Sequence, residues 1–151
     1  VDLNEFEMPI YSEDREQEIG IPEKAHEFKK LVNESIGIII SLAEHNGSYT
    51  SAFKNIYDWI SVIEKTVWSN KPLILLSTSD GQNAGKTVLQ TALSRFSRES
   101  REEIPHFSLP KFNENFSDTD GIINTKLVEE LDKQISIFSG QVDSLLDSGN
   151  Y

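Results

Sequence analysis

Residues 36–59 read IGIIISLAEHNGSYTSAFKNIYDW, and this stretch decides the fold. Ile36 to Leu42 is short, continuously apolar and rich in β-branched residues. That suits a strand covered on both faces, as in a parallel sheet. A polar turn follows, Glu44-His45-Asn46-Gly47-Ser48. An amphipathic helix is then predicted over about 51–65, because Phe53, Ile56, Tyr57, Ile60 and Ile63 fall on one face at helical spacing. Trp59 lies off that stripe, which predicts a second buried face on the same helix, such as a subunit contact.

The same alternation continues outward. Downstream, Leu73 to Leu76 reads as a second buried strand after Pro72, and it leads through STSDGQNAGK (77–86) into a helix with Val88, Leu89, Ala92, Leu93 and Phe96 aligned. Ile104 to Leu109 reads as a short strand and Asn113 to Gly121 as a polar loop. A last helix runs over about 124–139, with Leu127, Leu131, Ile135 and Phe138 in line and Gly140 placed to end it. Upstream, the apolar patch Met8 to Tyr11 precedes the acidic run Glu13 to Glu18, read as a solvated loop. Pro22 then opens a helix over about 22–34 carrying Ala25, Phe28, Leu31 and Val32. Helices and strands in strict alternation with short connections are the signature of an α/β protein with right-handed crossovers and a parallel sheet.

Composition narrows the function. The chain has 151 residues and no cysteine, which excludes disulfide frameworks, thiolate metal sites and cysteine nucleophiles. No segment is apolar over the length of a bilayer span, and the acidic N-terminus lacks the zones of a signal peptide. The net charge of −11 is uneven: residues 1–35 hold ten acids and four bases, 36–96 four and five, and 97–151 eleven and five. Such a chain is poorly suited to tracking nucleic-acid backbones. Its middle third alone could tolerate an anionic ligand, although a charge-poor middle also fits a buried core.

In open α/β sheets ligands sit outside the carboxyl ends of the strands. Two connections occupy that position, one after 36–42 and one after 73–78, both rich in Asn, Ser and Gly and both leading into helix N-termini. Gly81 to Thr87 is close to a nucleotide P-loop, but three residues separate its glycines where that motif needs four. His26 belongs on a helix surface and His106 has no evident partner; His45 alone sits in a ligand-side loop. No pair has zinc-ligand spacing, so no metal is expected. Ser79-Asp80-Gly81 lacks the flanks of a nucleophile elbow, which leaves Ser48 and Ser79 as hydrogen-bonding groups.

AEHNGSYTSAFKNIYDWIS, residues 43–61, resembles the second flavin loop and following helix of the NAD(P)H-dependent FMN reductases, in the flavodoxin-like superfamily. Relatives there read Pro-Glu-Tyr-Asn, a small residue, Ser and then Leu-Lys-Asn-Ala-Ile-Asp-Trp. Glu44, Asn46, Gly47, Ser48, Lys54, Asn55, Asp58 and Trp59 match, while Ala43 replaces the proline and His45 the tyrosine. Ser79, Gly81 and Gly85 match the family's third loop, with Asp80 at a common proline position and Lys86 at a frequent small residue. FSLPKFNENF (107–116) is similar to one branch of the family.

The resemblance implies a flavodoxin-like three-layer sandwich with a five-stranded parallel sheet in the order 2-1-3-4-5. It implies FMN at the strand ends, with Ala43, Glu44, His45, Asn46, Gly47 and Ser48 lining the isoalloxazine and Ser79, Asp80, Gly81 and Gly85 bordering its other side. NADPH or NADH would pass hydride to flavin N5, and the flavin would reduce free flavin, a quinone or a similar small-molecule acceptor. No catalytic acid–base residue is needed, because hydride moves between two stacked rings. A homodimer or homotetramer in the cytoplasm is the expected setting. The family's first strand and its Gly-Ser-x-Arg phosphate loop precede the segment with which this chain opens. Residues 1–151 are therefore expected to form one such domain, N-terminally incomplete. A flavodoxin-like domain that binds flavin or shuttles electrons without turnover is the alternative, and a nucleotide-phosphate binder using Gly81 to Thr87 a third.

Overall fold

The computed structural model describes residues 1–149. After a 3-10 turn (Leu3–Phe6) come α1 (Glu13–Ile19), α2 (Glu23–Glu34), β1 (Ile38–Leu42), β2 (Glu44–His45), β3 (Ser48–Tyr49) and α3 (Ser51–Ile63). Then follow β4 (Leu73–Thr78), α4 (Lys86–Phe96), β5 (His106–Leu109), α5 (Phe112–Asn115), β6 (Phe116–Ser117), β7 (Gly121–Ile122) and α6 (Thr125–Ser148). Contacts group the described residues into two compact units: 1–35 with 50–70, and 36–49 with 71–149.

The first unit is helical. The acidic run expected to be a loop forms α1, because Ser12 Oγ accepts from Arg15 N–H and Glu13, Asp14 and Glu16 lie in the first turn, where the helix dipole favours anions. The helix is nonetheless solvated, with no buried residue. Thr50 caps α3 in the same way, its Oγ1 accepting from Phe53 N–H at 3.2 Å. The 3-10 turn, α2 and α3 pack on one another. Phe6 meets Phe28 edge-on at 5.2 Å, and Phe53, Tyr57 and Trp68 lie 6.0 to 6.3 Å apart. Lys29 is buried on α2 and fully satisfied. Its Nζ donates to Val67 O at 2.7 Å, Ser69 Oγ at 2.8 Å and Thr66 O at 3.2 Å, and pairs with Glu64 at 2.9 Å.

Trp59 corrects an expectation. It is 0% exposed within this chain, so it offers no surface to a second subunit. Its Nε1 donates to Pro9 O at 2.7 Å and its ring meets Tyr11 edge-on at 5.0 Å. Asn55, one turn earlier, accepts from Tyr11 N–H at 2.8 Å and donates to Met8 O and Pro9 O at 3.1 Å. The apolar patch 8–11 is thus clasped to α3 by two side chains of the Lys-Asn-x-x-Asp-Trp stretch. Tyr11 OH in turn donates to Glu16, and that hydrogen bond to a carboxylate holds the phenol above its ordinary pKa.

The second unit holds the sheet. β1, β4 and β5 are parallel, in the order β1-β4-β5, with Leu42 opposite Ser77 and Ser77 opposite Ser108. Three parallel strands stand among the described residues, where the resemblance implied a five-stranded family sheet with its first strand missing from this chain. β4 fits the expectation of a strand covered on both faces, since Leu73, Ile74 and Leu75 are all buried. β1 does not: Ile40 and Leu42 are buried, while Ile39 is 63% exposed and Ser41 is exposed. α4 packs on β4 through Val88, Leu89, Ala92 and Phe96.

α6 runs unbroken through Gly140, contrary to the predicted stop, because its half-buried residues Leu127, Leu131, Phe138, Val142 and Leu145 keep helical spacing past the glycine. Phe138 and Val142 close on Gly37 so tightly that a Cβ there would lie 2.8 Å from each. Gln134 accepts from His106 N–H, and Gln141 donates to Glu103 O at 2.8 Å, which fixes the helix along β5. The predicted loop 113–121 is α5 followed by the β6–β7 hairpin.

Candidate functional site

Parallel strands deliver their outgoing connections to one end of the sheet. Ala43 follows Leu42, Ser79 follows Thr78 and Pro110 follows Leu109, and Leu42 and Leu109 lie beside Ser77 and Thr78 in register. All ten residues predicted to contact a ligand lie on the first two of these connections: Ala43, Glu44, His45, Asn46, Gly47 and Ser48 on one, Ser79, Asp80, Gly81 and Gly85 on the other.

The first connection is a β-hairpin. Asn46 and Gly47 both take left-handed backbone, at φ 52° and 75°. That is the two-residue turn that matches strand twist, and Asn-Gly is its strongest sequence signal. The expected polar turn is thus the tip of a hairpin, for which Asn46-Gly47 is the sequence signal. His45, Asn46, Gly47 and Ser48 are exposed at the tip. Glu44 points the other way, its Oε2 accepting from Val88 N–H at 2.9 Å in the first turn of α4.

The second connection is wound tightly onto α4. Ala84 and Gly85 are left-handed, at φ 58° and 69°. Ser77 Oγ donates to Ala84 O at 2.7 Å and lies 2.7 Å from Ser108 Oγ. A Cβ on Gly85 would sit 3.1 Å from Ser77 Cβ, so Gly85 is a packing glycine as well as a turn glycine. Ser79, Asp80 and Gly81 sit nearer the surface, and Ser79 Oγ reaches Gly81 O at 3.4 Å. Among the described residues, the backbone N–H groups of Asn46, Gly47, Asp80 and Gly81 donate to no protein acceptor.

A third connection was not anticipated as part of this end. Phe112 N–H donates to Ser79 O at 3.0 Å and Lys111 N–H to Gly81 O at 3.1 Å, which ties the start of α5 to the second loop. Thr78 Oγ1 donates to Leu109 O at 2.8 Å just below. Lys111 is itself left-handed, at φ 48°, and Phe112 and Phe116 stack at 4.7 Å. The visible signal was Pro110-Lys111 followed by two phenylalanines four apart.

The remaining candidates stay dispersed. His26 is exposed on α2, and His106 lies in β5 with Nδ1 3.1 Å from Ile104 O. No cluster of His, Asp or Glu among the described residues could hold a metal ion. At the near-P-loop the Glu44 carboxylate already takes one amide of the first turn, Val88 N–H.

The chain resembles known proteins in the same terms. Residues 1–123 match the family model described as NADPH-dependent FMN reductase. The chain is 33% identical over 87 residues to a 2-hydroxy-1,4-benzoquinone reductase of a Burkholderia species, covering 57% of this chain and 46% of that protein. It is 28% identical over 79 residues to a quinone reductase of Escherichia coli K12, covering 52% of this chain and 42% of that protein. It therefore spans less than half the length of the curated relatives it matches. Among solved structures, FerB of Paracoccus denitrificans, a flavoenzyme NAD(P)H:(acceptor) oxidoreductase, superposes with a TM-score of 0.69 at 19% identity, over 91% of this chain and 76% of that one. That likeness shows the α/β fold to be flavodoxin-like. With the family model covering most of its length, the chain belongs to the NADPH-dependent FMN reductase family.

Proposed function

We propose that this chain is the flavin-binding domain of an NAD(P)H-dependent oxidoreductase that uses FMN to reduce a quinone, a flavin or a similar small acceptor. The observation that carries the reading is the pair of connections 43–49 and 79–85. They emerge side by side at the carboxyl end of the sheet, are linked through Glu44, and hold backbone donors with no protein partner among the described residues. A flat ring with polar edges suits such a site, because main-chain N–H groups can bond its oxygens and nitrogens while glycine and small side chains admit it closely. Ala43, Glu44, His45, Asn46, Gly47 and Ser48 would form one wall, and Ser79, Asp80, Gly81 and Gly85 the other. The Asn46-Gly47 turn fixes where the first wall's amides point, and the Ser77–Ala84 bond fixes the second.

When bound, FMN would supply the two-electron redox chemistry that links NADPH or NADH to the acceptor. The chain's own part is to bind, orient and shield. The relatives named as quinone reductases support a quinone acceptor. The whole chain is proposed to act as one domain of this fold in the cytoplasm. A homodimer or homotetramer no longer draws support from Trp59 and rests on the family resemblance.

Full-length protein should purify yellow or quench FMN fluorescence, and should oxidise NADPH when a benzoquinone is supplied. FMN bound without NAD(P)H turnover would favour the electron-shuttle alternative, and protein that neither binds FMN nor oxidises NAD(P)H would end both readings.

A further inference from the structure

α4 begins without a cap of its own. Its N-cap is Gly85, which has no side chain to offer the first-turn amides. Exchanging Gly85 for Ser or Asp would be strained, because a Cβ would press on Ser77 at 3.1 Å and the φ of 69° disfavours any side chain. The first turn holds Lys86 and Thr87 and no acid. The missing acceptor comes from 44 residues away in sequence, where Glu44 reaches Val88 N–H at 2.9 Å. A helix that needs a close-packed glycine at its start has therefore delegated its cap to the neighbouring hairpin.

This has a geometric consequence. The hairpin β2–β3 has only two residues per strand, and its tip is exposed. An isolated ribbon of that size is marginal in water. Beyond its covalent attachment to β1 and α3, its position depends on its packing against α4, of which the Glu44–Val88 bond is the directional part. The same bond joins the two connections read above as a flavin site.

We infer that Glu44 is a positioning residue, whose carboxylate pins the Ala43–Ser48 wall to the first turn of α4 and so sets the spacing of the two walls. By the same contact it fills the anion-attracting end of α4, which keeps the flavin phosphate and nucleotide phosphates off the Gly81–Thr87 loop. This rests on the FMN reading and adds to it a role for a side chain that would not touch the flavin.

The test uses full-length wild-type protein, Glu44→Ala and Glu44→Gln. FMN and riboflavin dissociation constants, the visible circular dichroism of bound flavin and inorganic phosphate binding are measured on each. Glu44→Ala should weaken FMN and riboflavin alike, by roughly tenfold or more, and alter the flavin dichroism. Glu44→Gln keeps a carbonyl acceptor for Val88 N–H and should restore both to within about threefold of wild type. Glu44→Ala should also acquire measurable phosphate binding. If Glu44→Ala binds flavin with wild-type affinity and dichroism, or Glu44→Gln is as impaired as Glu44→Ala, the positioning role is wrong. Should either variant fold poorly, hydrogen exchange at the Val88 amide of the wild type remains decisive: strong protection supports the latch and solvent-like exchange overturns it. Wild-type protein that binds no FMN would instead remove the flavin reading itself, while leaving the Val88 measurement to decide the latch.

Discussion

Two glycines with nearly the same backbone should respond differently to an added methyl group. Gly47 and Gly85 have φ of 75° and 69°, so alanine is strained at either, by about 1 kcal/mol. Around Gly47 a Cβ would meet nothing within 4 Å, whereas at Gly85 it would press on Ser77 at 3.1 Å. Ser77 is held by Ala84 O and Ser108 and cannot retreat. Gly85→Ala is therefore expected to cost about 2–3 kcal/mol in urea unfolding and Gly47→Ala about 1 kcal/mol. Equal losses would show that the contact with Ser77 does not matter. Lys29 is the other single residue on which much depends. Its removal takes a hydrogen-bond donor from Val67 O, Ser69 Oγ and Thr66 O, the last of which keeps Ser69 N–H, while Glu64, 46% exposed, can return to water. Lys29→Ala should lower stability by about 2–3 kcal/mol, and a urea midpoint within error of wild type would refute this. Nothing local in the sequence announced Lys29, because a buried lysine is legible only once the carbonyls it serves are folded around it.

At the scale of elements, periodicity was the reliable guide and punctuation the unreliable one. The strands and the helices with a buried stripe were legible because apolar spacing reports burial directly. Gly140 misled, since a glycine ends a helix only when the apolar pattern also ends, and here Val142 and Leu145 continue it. The space around Gly140 is open within 4 Å and its φ is ordinary. Gly140→Ala is accordingly expected to stabilise the protein by about 0.5–1 kcal/mol, read as a higher urea midpoint, and a loss would mean the helix needs a flexible point there. Trp59 misled for a different reason. A residue off the main stripe must be buried by something, and the partner proved to be the chain's own segment 8–11, 50 residues away in sequence. Trp59→Phe, which removes the donor and leaves a cavity where the larger indole was buried, should cost about 2–3 kcal/mol and speed proteolysis near Tyr11. Unchanged cleavage there would show that Asn55 alone holds the clasp. The hairpin 44–49 was legible only in part, because the turn residues speak locally while the contact that positions it, Glu44 to Val88, spans the second unit.

The whole chain carries a net charge of −11, and NADPH is itself a polyanion. Among the acids are Glu44 and Asp80 on the two connections proposed to hold the flavin. A field of that sign repels an anionic donor at long range, and its reach is set by salt: about 30 Å at 0.01 M ionic strength and about 8 Å at 0.15 M. Raising salt across that interval should therefore favour capture of NADPH, by screening repulsion, while leaving an uncharged benzoquinone indifferent. The expected outcome is a KM for NADPH that falls roughly twofold or more as salt rises, with kcat and the KM for the quinone flat. An enzyme that recruits its donor through a local cluster of arginines or lysines would show the opposite slope, since screening would then weaken attraction. A KM for NADPH that climbs with salt would thus locate donor binding on a basic patch strong enough to overcome the global charge, and the prediction drawn from net charge would fail.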